Sequence, residues 1–230
     1  MKHHFSWTQF IPYVGHDKVH IATLLISSVL IILLGLVARI SLGRGEVAVV
    51  PAGKVSIRGF FEMVCDLIGY LLEMVMGHEG IKYGPIFASI FVFILVNNLM
   101  GLLPGMTAAT DNLNTTFALG IFSFVMYNAY GLKHHGFGYL KQFTGPVLLM
   151  APFMFVIELF SHIVRPFTLG LRIVGNIQGD HAVLGAFLDI APYGVPMIFY
   201  VMGIFVCVMQ ALVFTLLSMV YVSMATAHDH

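Results

Sequence analysis

From residue 145 onward the chain carries two long apolar runs, 145–188 and 196–226, separated only by the breaker cluster Asp189-Ile-Ala-Pro-Tyr-Gly-Val-Pro196. Pro192, Gly194 and Pro196 end one helix and open the next. At about 1.5 Å per residue, helices of roughly 40 and 30 residues overshoot a hydrocarbon layer roughly 30 Å thick. They must tilt or kink to fit, which makes a tilted helical hairpin at membrane depth the dominant constraint on the fold. Pro152 and Pro166 mark where the first helix is expected to bend.

Composition agrees with a membrane chain. Hydrophobic residues make up 59% and charged residues only 10% of the sequence, against roughly 25% charged in a soluble domain. The fold class is therefore an all-α polytopic membrane protein with two to three upright spans, one interfacial helix and the tilted C-terminal hairpin. Basic and acidic residues balance at 11 each, so no excess charge points to a nucleic-acid partner. Cys65 and Cys207 lie far apart in apolar stretches and read as small hydrophobes, with no disulfide or metal role. His78-Glu79 is followed by Gly80, Ile81 and Lys82, so the HExxH zinc pattern fails. Nucleophile-elbow, P-loop and dinucleotide signatures are missing as well. The sequence thus implies no catalytic site of its own, no metal and no cofactor.

Ahead of the hairpin the chain divides by charge. Residues 1–18 form an N-terminal segment and 19–39 a first span whose core, 21–38, is uncharged. A signal peptide is the alternative, but Arg39 and Arg44 follow the apolar core where positive charge should precede it. Within 55–77, Arg58, Glu62, Asp66 and Glu73 form one polar stripe on an apolar helix, the pattern of an amphipathic helix in the membrane interface. Residues 84–103 and 115–132 read as an antiparallel pair of spans, joined by a polar turn from Asp111 to Thr116. Asn97 and Asn98, mid-span, read as interhelical hydrogen bonders before ion ligands. Arg39, Arg44, Lys54, Arg58 and Lys82 lie on one side of this layout, with Lys133 and Lys141, while the turn at Asp111 holds no lysine or arginine. The positive-inside rule then places the N-terminus outside and the C-terminus in the cytoplasm.

Arg172 is the residue that composition leaves unexplained. An arginine at the bilayer centre costs from about 2.5 to about 17 kcal/mol, depending on the reference, and it cannot escape by deprotonating. At 100° per residue, Glu158, Ser161, His162, Arg165, Thr168, Arg172, Asn176, Gly179 and Asp180 share a sector of about 120°. Leu159, Phe160, Ile163, Val174 and Ile177 fall outside it, toward lipid or other helices. A turn centred near residue 191 sets Gln210 level with Arg172, and Gly179 level with Gly203, where two small residues allow close backbone approach. Intramembrane ionisable residues pair, line a cavity or mark an ion path, and a seam this long fits a path. His162 alone would be a satisfied packing residue, Arg165 suits snorkelling or lipid contact, and Glu158 is placed either to neutralise Arg165 or to carry protons. Arg172 has no acid one turn away on its own helix, so its partner is expected on another chain.

The segment ELFSHIVRPFTLGLRIVGNIQGDH, preceded by VNNLMGLLPG and followed by VMQALVFTLLSMVYVSMA, closely resembles subunit a of bacterial F-type ATP synthases over nearly the whole chain. The resemblance implies a proton-translocating stator packed against a rotor ring of c subunits, with peripheral-stalk b subunits and the rest of the complex as further partners, in the bacterial plasma (inner) membrane. It implies two offset half-channels separated by Arg172, which draws each ring carboxylate into its deprotonated form. Gln210 matches the glutamine facing that arginine and Asn176 the asparagine one turn on. Glu158, Ser161 and His162 fall toward the cytoplasmic half-channel, Asp180 and His181 toward the outer one. The chain departs from some relatives in having His181 where an acid is common and Gly203 where an ionisable partner is common. Asn112 aligns with an acid of the outer loop, and Asp111 stands one place earlier, so both are candidates for the outer entrance. Two other classes compete: an independent ion channel or carrier, and an intramembrane hydrolase or haem protein.

Overall fold

The structure is a computed structural model that describes residues 19–42, 56–103, 106–136, 151–190 and 194–226. The N-terminal segment 1–18, residues 145–150 of the first long run and the breaker Pro192 lie outside the described residues. Six α-helices appear among those described: α1 Val19–Ser41, α2 Ile57–Met76, α3 Gly84–Leu102, α4 Leu113–His135, α5 Ala151–Ile190 and α6 Val195–Thr226. Short 3-10 turns at His78–Tyr83 and Ala109–Asp111 precede α3 and α4. Val19–Ser41, His78–Leu102, Phe153–Leu188 and Pro196–Thr226 are each long and apolar enough to cross a membrane. The chain is a polytopic, all-helical membrane protein.

α1 is turned inside out relative to a helix of a soluble protein. In α1, Thr23 and Ser27 are fully buried while Leu25, Ile32 and Ile40 are exposed by 60%, 61% and 81%. Lipid tails are as apolar as leucine, so a helix like this one gains most by turning its polar and small groups inward. Ser27 Oγ donates to Asn97 Oδ1 at 2.8 Å, and Asn97 Nδ2 donates to its own helix at Phe93 O, 2.8 Å away. Thr110 Oγ1 donates to Asn98 Oδ1 at 2.8 Å, tying the turn before α4 to the end of α3. Both asparagines therefore join elements together. Asn97→Leu should leave the Ser27 hydroxyl only its own-helix acceptor, Leu24 O at 2.9 Å, and weaken the α1–α3 contact by about 1 kcal/mol. Thermal release of the subunit from detergent-purified complex would measure it; an unchanged release temperature would count against the bond.

α2 is built differently. Ser56 caps its N-terminus, with Oγ accepting from Gly59 N at 3.1 Å, and Gly77 at φ 67° ends it. Arg58 pairs with Glu62 one turn on, Asp66 and Glu73 are exposed, and Val64, Ile68, Leu71 and Leu72 are buried on the opposite face. α3 carries apolar residues all round and is the most enclosed helix, with Phe87, Ile90, Phe91, Ile94 and Leu95 in the core between α1, α2 and α6.

α3 and α4 run antiparallel but are not direct partners along their length. Tyr83, before α3, meets Tyr130 edge-on at 4.6 Å and lies 3.3 Å from His134 Nε2 at the far end of α4. Between those ends α6 takes the place each was expected to fill for the other, packing on both. Its inner face supplies Ala211, Phe214, Ser218 and Met219, all buried, and the hydroxyls of Ser123 and Ser218 are 2.9 Å apart. A continuous core then joins α2, α3, α4, α5 and α6.

Candidate functional site

The long hairpin positions the site. α5 buries one stripe, His162, Pro166, Leu169, Gly170, Ile173, Val174 and Ile177, against the bundle. The neighbouring stripe, Ser161, Thr168, Arg172, Asn176 and Gly179, is exposed. The polar sector inferred from sequence therefore divides at its edge. His162 stands at the margin nearest Pro166 and Leu169, and packing draws it inward, off the seam and onto α4.

Across the hairpin, Asn176 Nδ2 donates to Gln210 Oε1 at 2.6 Å, and Phe187 stacks on Phe199 with centroids 4.4 Å apart. Both contacts report one register. The chain leaves α5 at Ile190 and enters α6 at Val195, which moves the turn about two residues beyond the expected centre. Gln210 thus meets Asn176, one helical turn past Arg172, and all three line one cleft of about 530 Å³ with Asp180, Phe205 and Met209. The expected pairing of Gly179 with Gly203 does not occur. Gly179 has no atom near its would-be Cβ, whereas Gly203 receives the Leu102 side chain of α3, whose Cδ2 lies 2.7 Å from where a Cβ would stand. The small residue serves a neighbouring helix instead of the hairpin.

The two seam arginines differ in kind. Arg165 Nη2 lies 3.5 Å from Glu158 Oε1, and its guanidinium sits 5.2 Å from the centre of the Tyr221 ring. Arg172, on the exposed side of α5, makes no ion pair among the described residues. Beside it, Gln210 is 4% exposed and its Nε2 has no hydrogen-bond partner among them. An orphaned buried donor costs about 1–3 kcal/mol. The cleft thus offers a fixed cation, a free amide donor and an amide clamp that holds Gln210 in place, an arrangement suited to an anionic oxygen arriving from outside the chain.

The remaining candidates spread along the hairpin and the turn before α4. Asp180 enters the cleft; His181 is half-buried on the adjoining side. Ser161 is exposed near Glu158. Asp111 Oδ1 is buried without a partner among the described residues, and Asn112 caps α4 by accepting from Asn114 N at 2.9 Å. Sequence reasoning missed Tyr127 and Asn128 on α4, which meet His162, and Tyr221 on α6, which underlies Arg165. The adjacent polar pair Tyr127-Asn128 in an apolar run was a usable signal; nothing in the run around Tyr221 marks it.

The family model described as ATP synthase A chain matches residues 21–223. ATP synthase subunit a of Bdellovibrio bacteriovorus is 57% identical over 227 residues, covering 98% of this chain and 99% of that protein. The subunit a proteins of Trichlorobacter lovleyi and Geobacter sp. are 41% and 40% identical over 88% and 87% of this chain, covering 84% and 86% of their own lengths. The match spans all six helices and the Arg172 cleft, and the chain belongs to the ATP synthase A chain family.

Proposed function

We propose that this chain is the proton-conducting stator of a rotary ATP synthase, acting against a ring of c subunits and held by peripheral-stalk b subunits. Its N-terminus lies outside the bacterial plasma membrane and its C-terminus in the cytoplasm, following the distribution of lysine and arginine. Two half-channels approach the Arg172 cleft from opposite sides. Glu158 and Ser161 belong to the cytoplasmic one; Asp180, with His181 beside it and Asp111 and Asn112 toward the entrance, belongs to the outer one.

The observation that carries this reading is the contrast between the arginines. A permanently paired Arg172 would hold a passing carboxylate no better than water does. An arginine such as Arg172, with no ion pair among the described residues, lowers the pKa of any carboxylate brought beside it, drives off its proton and bars cations from crossing between half-channels. Gln210 Nε2 supplies a second donor, and Asn176 keeps Gln210 aimed. The barrier has energetic value, because each proton leaking across 100 mV forfeits about 2.3 kcal/mol.

A stator conducts only with its rotor. Purified chain alone in liposomes is therefore expected to show no proton flux above that of empty vesicles under an imposed potential, while the assembled complex pumps protons with ATP. Sustained flux through the lone chain would favour the independent channel and remove the stator.

A further inference from the structure

A second cavity, of about 270 Å³, opens at the end of the bundle where α2 and the 3-10 turn His78–Tyr83 meet the last turns of α4 and α6. His78 begins one span and Thr226 ends another, so the cavity lies at the level of lipid headgroups. Tyr83 and Tyr130, edge-on at 4.6 Å, mark the same level, as aromatic residues do where membrane meets water. The floor is tight: Gly80 is buried against α2, where a Cβ would stand 2.6 Å from that of Met76 and 3.2 Å from Leu72 O.

Two opposite charges line this cavity without meeting. Glu79 and Lys82 are three residues apart, yet neither makes an ion pair among the described residues. The Lys82 ammonium is instead held 5.1 Å from the centre of the Tyr83 ring, and the Tyr83 hydroxyl lies 3.3 Å from His134 Nε2. Lys82 and His134 thus converge on one aromatic ring and offer N–H donors. The remaining polar groups are acceptors. Ser223 Oγ commits its hydrogen to Val75 O at 3.2 Å, tying α6 to α2, and Thr226 Oγ1 donates to Val222 O at 2.8 Å. Each hydroxyl therefore presents only oxygen lone pairs to the cavity, and the Glu79 carboxylate adds the negative charge.

We propose that this cavity is a headgroup site for phosphatidylethanolamine, with the phosphate held by Lys82 and His134 and the ammonium by Glu79, Ser223 and Thr226. A zwitterion answers a site whose own charges are opposite and held apart. Ethanolamine keeps three N–H donors for the three acceptors; choline has none, and a glycerol headgroup carries no cation. The volume falls just below the roughly 300–1,000 Å³ of pockets for drug-sized ligands, which suits a small headgroup whose acyl chains stay outside. Glu79, Lys82 and His134 are exposed, so each ionic contact is screened and the selectivity is severalfold. Binding of this lipid does not depend on the stator reading, and the two fail separately.

The experiment reconstitutes parent, Glu79→Gln and Lys82→Gln ATP synthase complexes in vesicles doped with one of three phospholipids: phosphatidylethanolamine, phosphatidylglycerol or phosphatidylcholine. Each dopant carries the same photoactivatable group near the glycerol, and labelling is read by mass spectrometry on peptides spanning 75–83 and 220–226. Labelling of α1, which faces bulk lipid, is the reference. In the parent, phosphatidylethanolamine should label the cavity peptides about threefold to fivefold more than either other lipid. Glu79→Gln should erase the preference over phosphatidylglycerol, and Lys82→Gln should lower phosphatidylethanolamine labelling to the level of phosphatidylcholine. Equal labelling by the three lipids, or a preference unchanged in both variants, overturns the assignment. So do cross-links from 75–83 to another subunit in place of lipid, which would mean that a protein covers the cavity. Loss of labelling under excess inorganic phosphate or glycerophosphoethanolamine would mean a soluble ligand and overturns it too. If a variant does not assemble, the parent's ranking of the three lipids still decides.

Discussion

Replacing Arg172 by alanine is expected to abolish proton-driven ATP synthesis while leaving the subunit assembled. Arg172 lies on the exposed side of α5 and makes no ion pair among the described residues, so truncation removes no ion pair that holds the hairpin together. What disappears is the one cationic side chain among the described residues that line the cleft. Ring carboxylates would then cross it protonated, release would stall, and coupled synthesis should drop by at least about a hundredfold, the scale of losing a dominant electrostatic group. Lysine is a poor replacement, because its ammonium can deprotonate in an apolar site and presents no planar fork. The measurement is synthesis in inverted vesicles under an imposed proton gradient, with the amount of subunit in purified complex as control. Normal coupled synthesis by Arg172→Ala would sink the proposed role.

Arg165→Ala should behave in the opposite way, with reduced but measurable coupling. There the loss is a neutralised structural pair with Glu158 and a ring contact with Tyr221.

The second large effect is structural. Gly120→Ala is expected to loosen α4 from α5, because an added Cβ would fall inside contact distance of the Pro166 carbonyl oxygen. That atom is backbone and cannot rotate away, so the helices must part. Overpacking of this kind costs about 1–3 kcal/mol, and a valine costs more. The variant complex should lose the subunit at lower temperature in detergent, with His162 displaced from Asn128. Retention at the parent's temperature would mean that α4 and α5 do not approach as closely as described.

How far these features were legible depends on their range. The long runs, the breaker at Asp189 to Pro196 and the polar stripe of α2 are local properties, and the helices found there follow from span length and 3.6-residue periodicity. That Arg172 makes no ion pair among the described residues was legible for the same reason: the absence of an acid one turn away is a statement about one helix. Gln210 was close but displaced, since a hairpin's register depends on where its turn begins. The shift from Arg172 to Asn176 as its partner came from a two-residue difference in that position.

Contacts between distant helices were not legible. Helical spacing gives an angle around an axis but not which neighbour lies at that angle. His162 and Arg165 share a sector, yet one is claimed by α4 and the other by α6 and Glu158. Gly203 was matched to Gly179 because both are small, and it accommodates Leu102 because α3 packs on α6. The sequence by itself determined that the chain lives in a membrane, where its helices run and that one charge lacks a local partner, since these follow from length, polarity and periodicity. Only the tertiary structure decided that α6 separates α3 from α4, that the cleft unites Arg172, Asn176, Asp180 and Gln210, and that His162 faces inward. The physical reason is that side-chain volumes and hydrogen bonds across helices, summed over the whole bundle, choose one packing among many that the same periodicity permits.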